Sequence, residues 1–209
     1  MSTTQTIGII VFDGVLTSEV IGPAEVFAIA SNEAWFAGAK ALLIGVEQQP
    51  TIRTEEGIVL TVDATIADDL ALDVLFVPGG NDISELLENV ALNAYIQKHA
   101  DSADWVGSAC AGAFLLGNAG ALDGRQATTW YGGEASLQAQ FPAIKVVHDQ
   151  PVVVDNRRVT ANGGVVSYQA AVVLLGQLCG ADHAKEIYDG LGLARLSAWA
   201  DIEATINAS

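Results

Sequence analysis

Cys110 sits in a segment whose composition suits a nucleophile: Trp105–Leu122 reads WVGSACAGAFLLGNAGAL. A short apolar run leads into Ser108-Ala109-Cys110-Ala111-Gly112, and helical spacing begins at once. Such a junction leaves its central residue on a tight turn at the carboxyl end of a sheet, where open α/β sheets take their ligands. Ala109, Ala111 and Gly112 are small enough to let backbone approach backbone, as the flanking residues of a nucleophile elbow do. The following helix points its N-terminus at the sulfur. That favours thiolate and can move a cysteine pKa from about 8.5 into the range of about 3.5–7.5. The same pattern also suits a buried structural cysteine, since free cysteine is among the most buried residue types.

Two further segments carry groups that could serve such a thiolate. Val74–Ser84 (VLFVPGGNDIS) ends a strand on Pro78-Gly79-Gly80, which frees backbone N–H groups beside a helix start. Aimed at the nucleophile, such groups make an oxyanion hole; otherwise this is an ordinary strand-to-helix turn. Phe12–Phe27 (FDGVLTSEVIGPAEVF) puts Glu19 on the first turn of a helix, where an acidic side chain complements the dipole. Glu25 lies on another part of that helix and reads as a solvated charge.

The remaining candidates are weaker. Cys179 lies in an apolar helical run and reads as core. His99 ends a surface helix, His148 follows a strand and His183 opens a helix, and none belongs to a motif. A Cys–His–Asp triad therefore lacks local support. Two isolated cysteines fit neither a zinc site nor a disulfide scaffold, so no metal and no cofactor are expected.

These residues need a scaffold. Strand patterns at Thr6–Phe12, Ala41–Val46, Val74–Val77, Trp105–Ala109, Gln126–Trp130, Ile144–Val147, Val152–Val154 and Arg158–Ala161 alternate with helical ones. The helical patterns are Ser18–Ala30, Asp82–Ala100, Ala111–Leu122, Glu134–Gln140, Val165–Cys179 and Ala181–Leu191. Thr51–Thr65 folds about Gly57 as a hairpin, and the polar tail after Ala194 wraps the surface or frays. The alternation predicts an α/β fold with a mostly parallel central sheet and helices on both faces, a flavodoxin-like sandwich, in one domain spanning residues 1–209. With 25 acidic and 9 basic residues, the formal charge of −16 disfavours nucleic acid as a partner. No apolar run is long enough to span a membrane. The polar opening Met1–Thr6 and the short run Ile7–Phe12 do not read as a signal peptide, so a cytoplasmic location is expected.

Taken together, Glu19 four residues before Pro23, the PGGN of Pro78–Asn81, the Ser108–Gly112 elbow, Ala119–Leu122 and Gly124–Thr129 resemble the ThiJ/PfpI superfamily, related to class I glutamine amidotransferases. The likeness runs from Thr6 to about Leu178 and is nearest to the branch of isonitrile hydratases and AraC-type regulator sensor domains. It implies Cys110 as nucleophile, Glu19 as a protonated carboxyl hydrogen-bonded to it, and Gly80 and Ala111 as oxyanion-hole donors. Thr129 and Trp130 would bind substrate, with Tyr131 beside them, and a homodimer would be the working unit. There are departures. Ala111 stands where protease-like members have His, and Trp130 where many relatives have His. The hydratases carry Asp at the Glu19 position and Thr after the cysteine. The resemblance implies a cofactor-independent cysteine enzyme acting on a small molecule, first an isonitrile hydratase. A glyoxalase or deglycase acting on 2-oxoaldehydes is the alternative enzyme, and a thiol redox or ligand sensor the non-catalytic one.

Overall fold

The computed structural model describes residues 5–207; the polar Met1–Thr4 and the final Ala208-Ser209 of the tail lie outside the described residues. In chain order the strands are β1 (Thr6–Val11), β2 (Lys40–Gly45), β3 (Thr51–Arg53), β4 (Val59–Thr61), β5 (Ala64–Thr65), β6 (Val74–Val77), β7 (Trp105–Ala109), β8 (Gln126–Ala127), β9 (Lys145–Val146), β10 (Val152–Asp155) and β11 (Arg158–Ala161). The helices are α1 (Thr17–Ala30), α2 (Ser84–Glu88), α3 (Val90–Ser102), α4 (Gly112–Asn118), α5 (Glu134–Gln140), α6 (Val166–Cys179), α7 (Ala181–Gly190) and α8 (Trp199–Asn207).

Seven strands form one sheet in the order β10-β11-β7-β6-β1-β2-β5. Every neighbouring pair in it is parallel except β10 with β11. The central strands are buried on both faces, with Val74–Val77 wholly enclosed. Such strands carry unbroken apolar runs instead of an alternating pattern. Helices α1 and α6 cover one face, and α3 and α4 the other. From β1 the chain goes to β2 on one side and later returns as β6 on the other. The order therefore reverses between β1 and β6, and crevices at such switch points are where α/β sheets bind ligands.

Several boundaries differ from the sequence reading. Asp82–Ala100 is two helices: Asn89 takes extended backbone angles, and its side chain accepts the Leu92 N–H at 3.0 Å as an N-cap. The hairpin about Gly57 keeps β3 and β4, but Ala64-Thr65 leaves it to pair with β2 as an edge strand of the main sheet. Gln126–Trp130 is strand only at its first two residues, which pair with Lys145–Val146. The tail does not fray through Asn207. It forms α8, burying Ile202 and Ile206, and the bare backbone of Gly176 on α6 receives the Ile206 side chain. Among the described residues no helix is long and apolar enough to cross a membrane.

Candidate active site

Four adjacent strands, β11, β7, β6 and β1, end on the same edge, and each hands one turn to a common point. Cys110 comes from the turn after β7. Its φ of +52° is the left-handed region, which costs a non-glycine residue about 1–2 kcal/mol. The surroundings enforce it: the Cys110 N–H donates to the Ala161 carbonyl at 2.9 Å, and the Thr129 hydroxyl donates to the Cys110 carbonyl at 2.7 Å. The small neighbours are needed because the loops touch backbone to backbone. A Cβ on Gly112 would lie 1.9 Å from the Val77 carbonyl oxygen, and one on Gly79 would lie 2.6 Å from the Ala111 nitrogen. The Pro-Gly-Gly turn and the cysteine turn are thus one packed unit.

Glu19, in the first turn of α1, is completely buried. One carboxyl oxygen accepts the Gly79 N–H at 2.7 Å and the other the Gly164 N–H at 3.0 Å. The carboxyl also meets the Cys110 thiol side chain to side chain. Gly163 fits between them. A Cβ there would stand 2.4 Å from Glu19 Oε1 and 2.6 Å from Cys110 Cβ, and its φ of +102° already requires glycine. Sequence reasoning missed Gly163 and Gly164 as site residues, seeing only the start of a helix. A glycine pair ending a strand that neighbours the cysteine's strand was the available signal.

The electrostatics correct one expectation. Burial first, and the charge of Glu19 second, push the Cys110 thiol up to about 12, with only the Ala111 N–H pulling the other way. The depressed thiol expected from the helix N-terminus is not found; α4 is only seven residues long. Burial likewise raises Glu19 above its ordinary 4.5, outweighing the hydrogen bonds from Gly79, Gly164 and Cys110. Two anions side by side in a desolvated pocket are expensive, so the two groups titrate as a coupled unit. Thiolate then arises by moving a proton from sulfur to carboxyl within the pair.

Cys110 lines a cavity of about 480 Å³ together with Gly80 and Ala111. Trp130 lines the cavity, stacked on Phe114 at 4.9 Å between ring centroids. Thr129 does not line it. It is fully buried beneath the turn, holding the Cys110 carbonyl, and its own carbonyl accepts from Asn162 at 2.6 Å. Tyr131 faces solvent. None of the histidines reaches the cavity. His99 is buried against Tyr95 and not on a surface, His183 stacks on Trp35, and His148 is exposed. Cys179 is half-buried at the end of α6, 69 residues from Cys110 in sequence. Among the described residues no group of three metal-ligating side chains converges.

Residues 5–175 match the DJ-1/PfpI family. The chain belongs to that family. It is similar to the isonitrile hydratase of Pseudomonas putida, 30% identical over 179 residues, covering 86% of this chain and 74% of that protein. It is also similar to the HTH-type transcriptional regulator GbdR of Pseudomonas aeruginosa, 26% identical over 63% of this chain and 34% of the regulator. The fold matches the crystal structure of Drosophila melanogaster DJ-1beta with a TM-score of 0.77 at 22% identity, over 90% of this chain and 98% of that one. The DJ-1/PfpI member thus packs its buried glutamate and the Gly79 and Gly163-Gly164 turns against the cysteine, which itself lines the cavity.

Proposed function

We propose that this chain is a cofactor-independent hydratase that converts a small isonitrile and water to an N-substituted formamide through Cys110. The observation that carries it is the Glu19–Cys110 pair, a buried carboxyl coupled to the one ionisable side chain that, among the described residues, lines the cavity. Sulfur adds to the terminal carbon of the isonitrile while the proton held by Glu19 passes to that carbon, leaving a thioimidate. Water then adds across the C=N bond, Glu19 taking one water proton and passing it on to nitrogen. Collapse of the hydroxyl to the formyl C=O expels the thiolate and returns the second water proton to Glu19. The sum is one isonitrile plus one water to one formamide. Gly80 and Ala111 N–H groups would steady the oxygen of the tetrahedral species. The working unit is proposed as a cytoplasmic two-fold dimer taking a small molecule as its partner.

The test offers an aryl isonitrile, methylglyoxal and a casein peptide to the wild-type protein and to Cys110→Ala. Formamide from the isonitrile, lost in Cys110→Ala and slowed by about 10²–10⁴-fold in Glu19→Gln, is the expected outcome. Consumption of methylglyoxal alone would replace the reading with the 2-oxoaldehyde one. A ligand sensor is the second reading, favoured by the upward push on the thiol and by the regulator among the relatives. Tight binding of the isonitrile without product would select it.

A further inference from the structure

The walls of the cavity are more informative about the substrate than its floor. Ile83 and Leu87 line the cavity together with the stacked rings of Phe114 and Trp130. The Trp130 ring is set by its neighbours: a Cβ on Gly133 would lie 2.2 Å from its Cε2, so only glycine leaves room for the indole in this position. A wall held this way binds without first being ordered. Among the described residues no Asp, Glu, Lys, Arg or His lines the cavity, so an ionised substituent would lose its hydration and gain no oppositely charged partner. The surroundings add repulsion for anions. Asp82, between the lining residues Asn81 and Ile83 in sequence, turns instead into an adjoining cavity of about 380 Å³ shared with Asp13, Glu47 and Glu85.

We infer that Trp130 is the specificity-determining residue of this site, and that it selects substrates whose electrophilic carbon carries a flat, apolar, uncharged substituent. The inference rests on the reading of Cys110 as the reacting atom. The substituent lies against the indole and between the aliphatic walls, while the reacting carbon reaches sulfur. Small hydrated 2-oxoaldehydes would leave these walls wetted and are disfavoured, as are carboxylated or phosphorylated substrates.

Labelling tests this without turnover. Iodoacetamide, N-phenyl iodoacetamide and its para-carboxyphenyl analogue each form an S–C bond at the thiol and release iodide, the thiol proton leaving by way of Glu19 to solvent. Rates at Cys110 and Cys179 are read by peptide mass spectrometry after short pulses and divided by the rate of each reagent with glutathione. Cys110 should favour the phenyl reagent over iodoacetamide by about tenfold or more, as burial of a ring's apolar surface provides. The para-carboxylate should remove that preference, and Cys179 should show none. Trp130→Ala should bring the ratio at Cys110 to near one, and Trp130→Phe should restore part of it. A wild-type ratio near one at Cys110, a ratio shared with Cys179, or one unchanged in both Trp130 variants would overturn the inference. A retained aryl preference without isonitrile hydration would instead overturn only the proposed reaction, and hydration without preference only the role of Trp130.

Discussion

The two cysteines sit at opposite kinds of helix end, Cys110 on the turn before α4 and Cys179 as the last residue of α6, in different surroundings. Cys179 closes α6, half-buried, and burial alone pushes its thiol up to about 11. Cys110 is also partly buried and is pushed higher, to about 12, by burial first and by the charge of Glu19 second. A cost that comes from burial is fixed by the fold. A cost that comes from a neighbouring carboxylate disappears when the carboxyl takes a proton. The site reading therefore depends on a conditional thiol, whose ionisation is coupled to one partner, and not on an intrinsically acidic one.

The largest difference between the two cysteines is expected at the glycines beside them. Gly163→Ala drives a Cβ into both Glu19 and Cys110 and should cost more than about 4 kcal/mol, with loss of any preference in Cys110 labelling. Gly180→Ala, next to Cys179, meets nothing within 4 Å but sits at φ +91°. Only its backbone strain remains, about 1–3 kcal/mol. Thermal unfolding of the two variants checks this; equal shifts would mean that the space between Glu19 and Cys110 is not tightly filled.

A smaller effect sharpens the contrast in ionisation. Because the two groups titrate as a coupled unit, labelling of Cys110 by iodoacetamide should rise with pH in two steps. The first comes as the pair loses its first proton, above the ordinary carboxyl value of 4.5, and the second near 12. Cys179 should rise once, near 11. Glu19→Gln removes the first step. It also sets an amide N–H₂ against one of the two backbone N–H donors, at a cost of about 1–3 kcal/mol. Parallel single-step profiles at both cysteines would deny the coupling. The smallest effect is expected from Thr129→Val, which removes the hydrogen bond to the Cys110 carbonyl. It should cost about 1 kcal/mol of stability by denaturant titration.

The scaffold was readable because it depends on local pattern. Ile7–Val11 and Val74–Val77 are unbroken apolar runs, and buried parallel strands look like that. Cys110 and Glu19 were visible as residues on turns. What joined them was not, because Glu19 is bonded to Gly79 and Gly164, 60 and 145 residues further along the chain. The thiol's upward shift was hidden for the same reason: a helix start is local, whereas desolvation and the charge of Glu19 come from distant segments. Asn89 was missed as a break because apolar spacing continues through it, and His99 was placed on the surface although α3 turns that face inward. α8 was missed because a polar tail shows nothing of Gly176, the bare patch of α6 that its Ile206 covers.

The 145-residue span between Glu19 and Gly164 also says something about how the molecule comes into being. Glu19 leaves the ribosome long before the turn that caps it, and through that interval its carboxyl is hydrated and titrates near 4.5. Docking the turn after β11 strips the water away and raises that value, so the last crossover takes up a proton over the pH range between the two values. The native state then binds more protons than the open chain, and closure loses driving force as pH rises through that range. Contacts so distant in sequence are also slow to form. Closing the turn after β11 over Glu19 and raising that carboxyl's affinity for a proton are therefore one event.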